Sequence, residues 1–448
     1  MVPATLALIV TSATLALPSS GATSSAVILR NALIIREAPP TPVVIGGESA
    51  AGSFVGFTLS YYQGLSATNR NSFASFAPST SSSARRDLLT GKIDVALSST
   101  PLNAIGTDVP DGQLSQYLQI PVAATAVALS YNITFPSSVT ISTTVGGQQL
   151  SATTRDNCPA LLSKHPLVLT PTTVAGIFSG QISQWSASVL QVTNPQLNTH
   201  ALVPVAAAYT SHGVTHPQKN KTQVVNCLRF ATSPTITLFG PASGSGVNAI
   251  FTDYLSQVDA TDFPAPTEAA PAVVGTRLED SGSLAAAITS TNGALGYLPW
   301  SSAQAAGAPT AQLQVVTKGV AAYQPLTSAT VRRDLAKAAL SIAAKGGFSV
   351  LQSADRFDVA NAGAGYPLVG LEFAITPRSP STAVVGTSIA KYLAWLSQTA
   401  PSDVGSSFGQ SFATNATATP LPTLFRAYDF SQLLTIAVNG SASLTATK

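Results

Sequence analysis

The sequence predicts an α/β fold arranged in two lobes, and three observations carry that expectation. A chain of 448 residues exceeds what a single hydrophobic core ordinarily serves. Short apolar runs are followed repeatedly by a polar turn and then by apolar residues at helical spacing, the rhythm of strand, turn and helix. The hydroxyl-rich turns fall at the carboxyl ends of the strand-like runs, where open α/β sheets gather their ligands.

Taken from the amino end, Pro42 to Ile45 reads as a short strand and Gly46-Gly47-Glu48-Ser49 as the turn after it. Phe54, Phe57, Tyr61 and Tyr62 follow at near-helical spacing, which places that turn at a helix amino terminus. Phe73 to Phe76 predicts a strand, Pro78 to Ser83 a turn, Ala84 to Thr90 a helix, and Ile93 to Leu97 a strand ending in Ser98-Ser99-Thr100-Pro101. Residues 118–131 (LQIPVAATAVALSY) form an apolar stretch long enough to cross between lobes. Residues 133–168 and 205–236 read as loop-rich excursions. Between them Thr172 to Phe178 predicts a helix stopped at Gly180, and Ile182 to Leu190 a second short helix around Trp185.

The most informative turn is Thr237 to Gly246 (TLFGPASGSG), followed by Ile250, Phe251, Tyr254 and Leu255 as the apolar face of a helix. Residues 259–272, rich in Pro, Ala and acidic side chains, read as loop. Ser281-Gly282-Ser283 opens a helix carrying Leu284, Ala287 and Ile288, and Ala294 to Leu298 predicts a short strand. A helix over 331–345, a strand over Pro367 to Ile375, a helix over Ser388 to Leu396 and a closing helix over Leu424 to Val438 complete the reading. No internal repeat is present.

Composition excludes several classes of function. Lys and Arg number 22 and Asp and Glu 19, together 9 percent of the chain, against about 25 percent in an ordinary soluble domain. A net charge of +3 is too weak a field for nucleic acid, which needs clustered cations along one face. A hydrophobic content of 45 percent argues against disorder and provides for a large core. Neither GxGxxG nor GxxxxGK[ST] occurs, so no nucleotide or other cofactor is expected. There is no HExxH or CxxC, and of the four histidines (His165, His200, His212, His216) the pair four apart, His212 and His216, lies in a Gly- and Pro-punctuated stretch that reads as surface loop; neither an enzyme nor a metal protein is expected, a secreted phosphatase on this scaffold being the minor alternative.

Val2 to Leu17 is an apolar run followed by small residues. Residues 1–22 therefore read as a signal peptide and 23–40 as an irregular lead-in, which predicts a secreted, periplasmic or cell-surface protein. In that compartment the two cysteines, Cys158 and Cys227, are expected to form one disulfide stapling the two excursions together. Asn132, Asn220, Asn415 and Asn439 fit the N-x-Ser/Thr pattern.

Ser49, Ser81 to Ser83, Ser98 to Thr100 and Ser243 to Ser245 each follow or end a strand-like run. The first N–H groups of a helix have no intrahelical acceptor, so a hydroxyl there either caps the helix or faces a bound anion beside those N–H groups. Gly244 and Gly246 would let backbone approach such an anion closely. Several of these turns converging would hold an oxyanion mostly by neutral donors.

Five segments resemble the periplasmic phosphate-binding protein family, the substrate-binding component of phosphate ABC importers. Residues 85–102 (RRDLLTGKIDVALSSTPL) resemble its helix, strand and "SDAPL" ligand loop. Residues 171–195 (PTTVAGIFSGQISQWSASVLQVTNP) resemble "LADIFLGKIKKWDDPAIAKLNP". Residues 240–255 (GPASGSGVNAIFTDYL) resemble its "RxDGSGT…FTxYL" loop, and GALGY at 293–297 and Tyr366-Pro367-Leu368 resemble "GAIGY" and "YPI". The resemblance spans about residues 43 to 435. It implies two lobes, each a central mixed sheet flanked by helices, with the ligand cleft between them. Lobe 1 would be 41–122 plus 366–448, and lobe 2 residues 123–365.

The resemblance also implies a ligand set. Ser49, Ser81, Ser245 and Gly246 match binding positions of the family, and Ser82 and Ser243 lie beside them. Ser99 stands where the family has an acceptor Asp, Pro241 where it has an Arg, Ser243 where it has an Asp, and Val247 where it has a Thr. Losing an Arg removes a fork of charge-assisted donors, for which Arg85, or Arg277, is the available substitute. The function implied is capture of phosphate or a related oxyanion by lobe closure, for ABC import through a membrane complex, by a monomer. The alternative is a secreted or surface interaction protein that keeps the fold without high-affinity phosphate binding.

Overall fold

The structure, a computed structural model, describes residues 42–66, 72–135, 138–145, 148–155, 157–194, 203–205, 208–211, 214–217, 221–223, 227–344 and 360–398. The signal-peptide reading, the lead-in and the closing helix at Leu424 to Val438 lie outside these residues, as do the sequons at Asn220, Asn415 and Asn439.

The first stretch contains β1 (Ile45–Glu48), α1 (Ser49–Leu65), β2 (Ala77–Ser79), α2 (Ser81–Leu89), β3 (Val95–Ser98), α3 (Asp111–Leu114) and β4 (Tyr117–Asn132). The middle holds β5 (Ser138–Val145), β6 (Gln148–Arg155), α4 (Asn157–Lys164), β7 (Val168–Leu169), α5 (Pro171–Phe178), α6 (Ser188–Thr193) and the short strands β8 (Val203–Val205), β9 (Ala208–Ser211), β10 (Val214–Pro217) and β11 (Lys221–Gln223). Then come β12 (Thr237–Pro241), α7 (Gly246–Val258), β13 (Thr276–Leu278), α8 (Ser281–Ser290), β14 (Ala294–Pro299) and α9 (Trp300–Ala305). The last are β15 (Gln312–Thr317), β16 (Val320–Gln324), α10 (Ser328–Ala344), β17 (Val369–Pro377) and α11 (Ala383–Gln398).

Eight strands form one mixed sheet in the order β13-β12-β14-β4-β17-β3-β1-β2. The apolar stretch expected to cross between lobes is a single 16-residue strand, β4. Its residues 117–126 pair antiparallel with β17, and its residues 127–132 pair antiparallel with β14. The parallel pairs β1–β2 and β1–β3 lie in one half of the sheet, and β12–β13 and β12–β14 in the other. With helices packed on its faces, this is an α/β fold consistent with the two-lobed arrangement expected.

Two apolar clusters cover the sheet. One joins Val55, Leu59 and Tyr62 of α1 to Tyr392, Leu393 and Trp395 of α11, with the Tyr62 and Tyr392 rings 5.3 Å apart. The other packs α5, α7 and β14, where Phe251 lies 4.6 Å from Phe178 and 4.1 Å from Tyr297. The helix starts follow local chemistry. Thr170 caps α5 by accepting from Thr173 N–H at 3.1 Å ahead of Pro171, and Asp280 caps α8 by accepting from Ser283 N–H at 2.7 Å.

Three expectations are corrected. The stretch 133–168 contains the antiparallel β5–β6 hairpin and α4, and 205–236 contains the β8–β11 and β9–β10 pairs and a 3₁₀ turn at Cys227–Phe230. Ser/Thr-rich strands such as SVTISTTV carry β-branched residues but little apolar alternation, so their pattern imitates loop. The helix expected over Ile182 to Leu190 begins only at Ser188. Trp185 N–H is bonded to Pro234 O at 2.7 Å, and its indole N–H to Gly293 O at 3.1 Å, which holds that segment as a core-anchored turn. Of Phe73 to Phe76 only Phe73 bridges, to Val43; the strand is β2, immediately after it. The disulfide between Cys158 and Cys227 is present, with Cα atoms 5.4 Å apart. Among the described residues no helix is long and apolar enough to cross a membrane.

The position of β1 depends on one close approach. A Cβ at Gly47 would lie 2.5 Å from both the Cβ and the carbonyl oxygen of Leu97 on β3. Gly47→Ala is therefore expected to push β1 from β3 and cost about 1–3 kcal/mol, in the range of core overpacking. Urea unfolding measures this; an unchanged midpoint would mean that the two strands are not held so closely.

Candidate functional site

Three turns meet at the carboxyl ends of β1, β3 and β12. The first ends in Glu48, whose backbone precedes α1 but whose carboxylate does not cap it. The second is the amino terminus of α2, where Thr80 is the cap and Ser81 the first helical residue. The third is the amino terminus of α7, capped by Ser245, which accepts from Val247 N–H at 3.2 Å. Ser99 follows β3 beside Ser81, and its N–H donates to Ser81 Oγ at 3.1 Å.

Glu48 sits at the centre of these turns, 2 percent exposed. Its Oε2 accepts from Ser81 Oγ at 2.5 Å, from Ser99 Oγ at 3.0 Å and from Gly246 N–H at 3.1 Å. Its Oε1 accepts from Ser245 Oγ in a very short hydrogen bond and from Val247 N–H at 3.2 Å. Five donors from both halves of the sheet thus surround one carboxylate, and the dipole of α7 favours negative charge at that point. The backbone must come very close for this. A Cβ on Gly246 would lie 2.6 Å from Ser81 Oγ and 2.7 Å from Glu48 Oε2, a space only glycine leaves free.

A second acid lies behind the first. Glu372 on β17 is 1 percent exposed, at a register shift where Glu372 opposes Ala123 but Phe373 opposes Pro121. Such an irregularity re-aims a side chain, and Glu372 Oε2 lies 2.6 Å from Ser99 Oγ. Ser99 has one hydroxyl proton and two carboxyl neighbours, so one acid must supply the second proton. That acid is Glu372. Burial first, and then the charge of Glu48, push its carboxyl well above the usual range, outweighing its contacts with Ser99 and Thr125. The chain therefore runs from the Glu372 carboxyl proton to Ser99 Oγ, and from the Ser99 hydroxyl to Glu48. Glu372 Oε1 makes no hydrogen bond.

The expected ligand residues divide. Ser81, Ser99, Ser245 and Gly246 are brought together. Ser49 is the first residue of α1, and its side chain lies outside the described residues. Ser82 is adjacent but bonds sideways, through Oγ to Thr80 Oγ1 at 3.3 Å and through N–H to Gly244 O at 3.0 Å. Ser243 is exposed on the turn.

Arg85 is not in the cradle. It is 2 percent exposed and forks onto Glu268 at 2.7 and 3.1 Å, while its Nε meets Asp108 at 3.2 Å. Its remaining contacts are Ser98 Oγ and Thr100 O. Burial works against its charge, but Glu268 and Asp108 more than compensate and raise its pKa. The buried guanidinium is a link between α2 and the segment after α7, held because its charges are matched inside the fold. Arg277, the other substitute, is exposed and donates to the carbonyls of Val274 and Pro271.

Two residues escaped the sequence reading, Glu48 and Glu372. Both carried a signal, since each is an isolated acid at the end of or within an apolar strand in a chain poor in charge.

Among the described residues no group of three or more His, Cys, Asp or Glu is placed to hold a metal ion. The arrangement positions five donors around one anion, a carboxylate that the chain supplies. The profile of the PBP superfamily domain matches residues 36–398, and the chain belongs to that family. Among solved structures it is similar to a phosphate-binding protein from Stenotrophomonas maltophilia, at 16 percent identity and a TM-score of 0.50 over 87 percent of this chain and 93 percent of the other. It is likewise similar to the high-affinity periplasmic phosphate-binding protein PfluDING bound with phosphate, at 16 percent identity and a TM-score of 0.51, covering 87 and 92 percent. A DING protein matches at 17 percent identity and 0.51, covering 86 and 93 percent. At these identities the likeness is one of fold. No curated protein matches.

Two outcomes follow from this geometry. An acid whose folded pKa is raised contributes stability that is complete below its unfolded value near 4.3 and falls as pH rises toward the folded value, by about 1.4 kcal/mol per unit. Glu372→Gln keeps a donor toward Ser99 and removes that slope. In urea unfolding at pH 5, 6 and 7 the variant's advantage should grow with pH; a constant difference would show Glu372 ionised in the fold. Arg85→Met leaves Glu268 and Asp108 without their cation and should cost about 3 kcal/mol, read from the same transition; a change below about 0.5 kcal/mol would mean that the pair contributes no more than a surface ion pair.

Proposed function

We propose that this chain is a secreted solute-binding protein whose cradle, formed by Ser81, Ser99, Ser245 and the N–H groups of Gly246 and Val247, captures phosphate or a related small oxyanion. The observation that carries the reading is the convergence of five donors from three separate turns on one carboxylate. A carboxylate is itself an oxyanion, so the donors already stand at the spacing an oxyanion needs. The two halves of the sheet would be the two lobes, 41–122 plus 366–448 and 123–365, closing on ligand as hinged binding proteins do. Delivery to a membrane ABC complex by a monomer belongs to the same reading.

Glu48 favours a second reading. An external dianion must first displace an internal carboxylate that is already fully satisfied, which lowers its affinity by the cost of that displacement. A chain of this kind could keep the fold as a surface interaction protein.

Calorimetric titration of the purified protein with phosphate and with sulfate separates the two. The solute reading expects saturable heat, in the millimolar range because Glu48 competes, and its loss in Ser245→Ala. No heat with either anion at tens of millimolar would leave the second reading.

A further inference from the structure

We infer that Glu48 is a built-in ligand of the cradle, and that the cradle is selective for fully ionised oxyanions, carboxylate or sulfate, over hydrogen phosphate. This deepens the reading above and rests on it only in taking the cradle as the solute site.

The first half of the inference comes from where the donors point. Glu48 precedes α1, yet its side chain leaves that helix and takes two N–H groups from α7 together with hydroxyls from α2, from the turn after β3 and from the α7 cap. Among the described residues, the five donors of the cradle are all turned to Glu48 while it is seated. Truncation at Cβ removes a methylene and a carboxylate, the heavy atoms of acetate. The vacated volume therefore has the shape and the donor set of that ion.

The second half comes from counting protons. Each hydroxyl of the cradle already accepts a hydrogen bond from the protein: Ser81 Oγ from Ser99 N–H, Ser245 Oγ from Val247 N–H, and Ser99 Oγ from the Glu372 carboxyl. Their protons are thereby turned toward the anion, and the backbone groups can only donate. Hydrogen phosphate brings an acidic proton that needs an acceptor, and among the described residues the cradle offers only the second lone pair of each serine hydroxyl, while the hydroxyl proton itself is turned toward the anion. Leaving the phosphate proton unpaired in a buried site costs roughly tenfold or more in affinity. Sulfate, formate and acetate carry no such proton at neutral pH.

The test uses the full chain and its Glu48→Ala variant, titrated at pH 7 with sodium acetate, formate, sulfate and phosphate. In Glu48→Ala, acetate, formate and sulfate should bind at least about tenfold more tightly than to the unaltered protein, and sulfate at least about tenfold more tightly than phosphate. Adding Ser245→Ala should abolish the gain. A folded Glu48→Ala that takes up none of these anions at tens of millimolar overturns the built-in ligand, and a preference for phosphate overturns the selectivity. If Glu48→Ala does not fold in chloride, its refolding yield in acetate or sulfate is the readout: an anion-dependent yield supports the inference and equal yields overturn it. The two readings fail separately. Phosphate binding by the unaltered protein without any gain in Glu48→Ala sinks this inference alone, whereas a gain in Glu48→Ala with no binding by the unaltered protein sinks only the solute function.

Discussion

One carboxylate holds the two halves of this molecule around a common point. Ser81 and Ser99 reach Glu48 from the β1–β3 side of the sheet, and Ser245, Gly246 and Val247 reach it from the β12 side. A buried charge is tolerated only when hydrogen bonds replace its hydration, and here that replacement draws on both sides together. The halves cannot separate at this point without returning Glu48 to water or leaving it short of donors. The Arg85–Glu268 fork and the Ser82 N–H to Gly244 O bond join the same two sides close by. In this conformation the contact between the two sides therefore rests on internal groups.

The chain's economy of charge makes each buried ion informative. With 9 percent charged residues, a buried acid or base is not a by-product of a crowded surface. Arg85 is matched by two acids. Asp334 accepts from the N–H of Gly365 at 3.1 Å and holds the turn that leads into β17. Glu372 alone is kept neutral rather than paired, and it is placed where its proton fixes the orientation of Ser99. The register shift beside Glu372 leaves Val122 of β4 unpaired, between Ala123 opposite Glu372 and Pro121 opposite Phe373. The crossing strands thus carry the site as well as joining its halves.

Much of this architecture was legible in the sequence because its signals are local. Strand, hydroxyl turn and helix recur, and the structure places helix caps within two of those turns, at Thr80 and Ser245, while the apolar run at 118–131 is the strand that joins the two halves of the sheet. Ser81, Ser99, Ser245 and Gly246 were visible as hydroxyl- and glycine-bearing turns, although their meeting point was not, since convergence is a property of the sheet order. Arg85 was misplaced for the opposite reason. Its proximity to the Ser81 turn suggested an anion partner, while Glu268, 183 positions away, claims it. Glu48 was read only as part of the turn from Gly46 to Ser49, and the Ser/Thr-rich strands of the excursions were hidden by their lack of apolar alternation.

The departures from the phosphate-binding pattern make sense together when they are read around Glu48. An Asp at position 99 would set a third carboxyl against Glu48 and Glu372, within about 3 Å of both, where like charges cannot all ionise. Serine at 99 removes that conflict and supplies a donor to one acid and an acceptor to the other. An Arg in place of Pro241 would offer Glu48 a strong ionic partner and draw it out of the neutral cradle. An acid at 48 with uncharged residues at 99 and 241 is thus one mutually consistent arrangement. In this site neutral donors meet a charge that the chain itself provides.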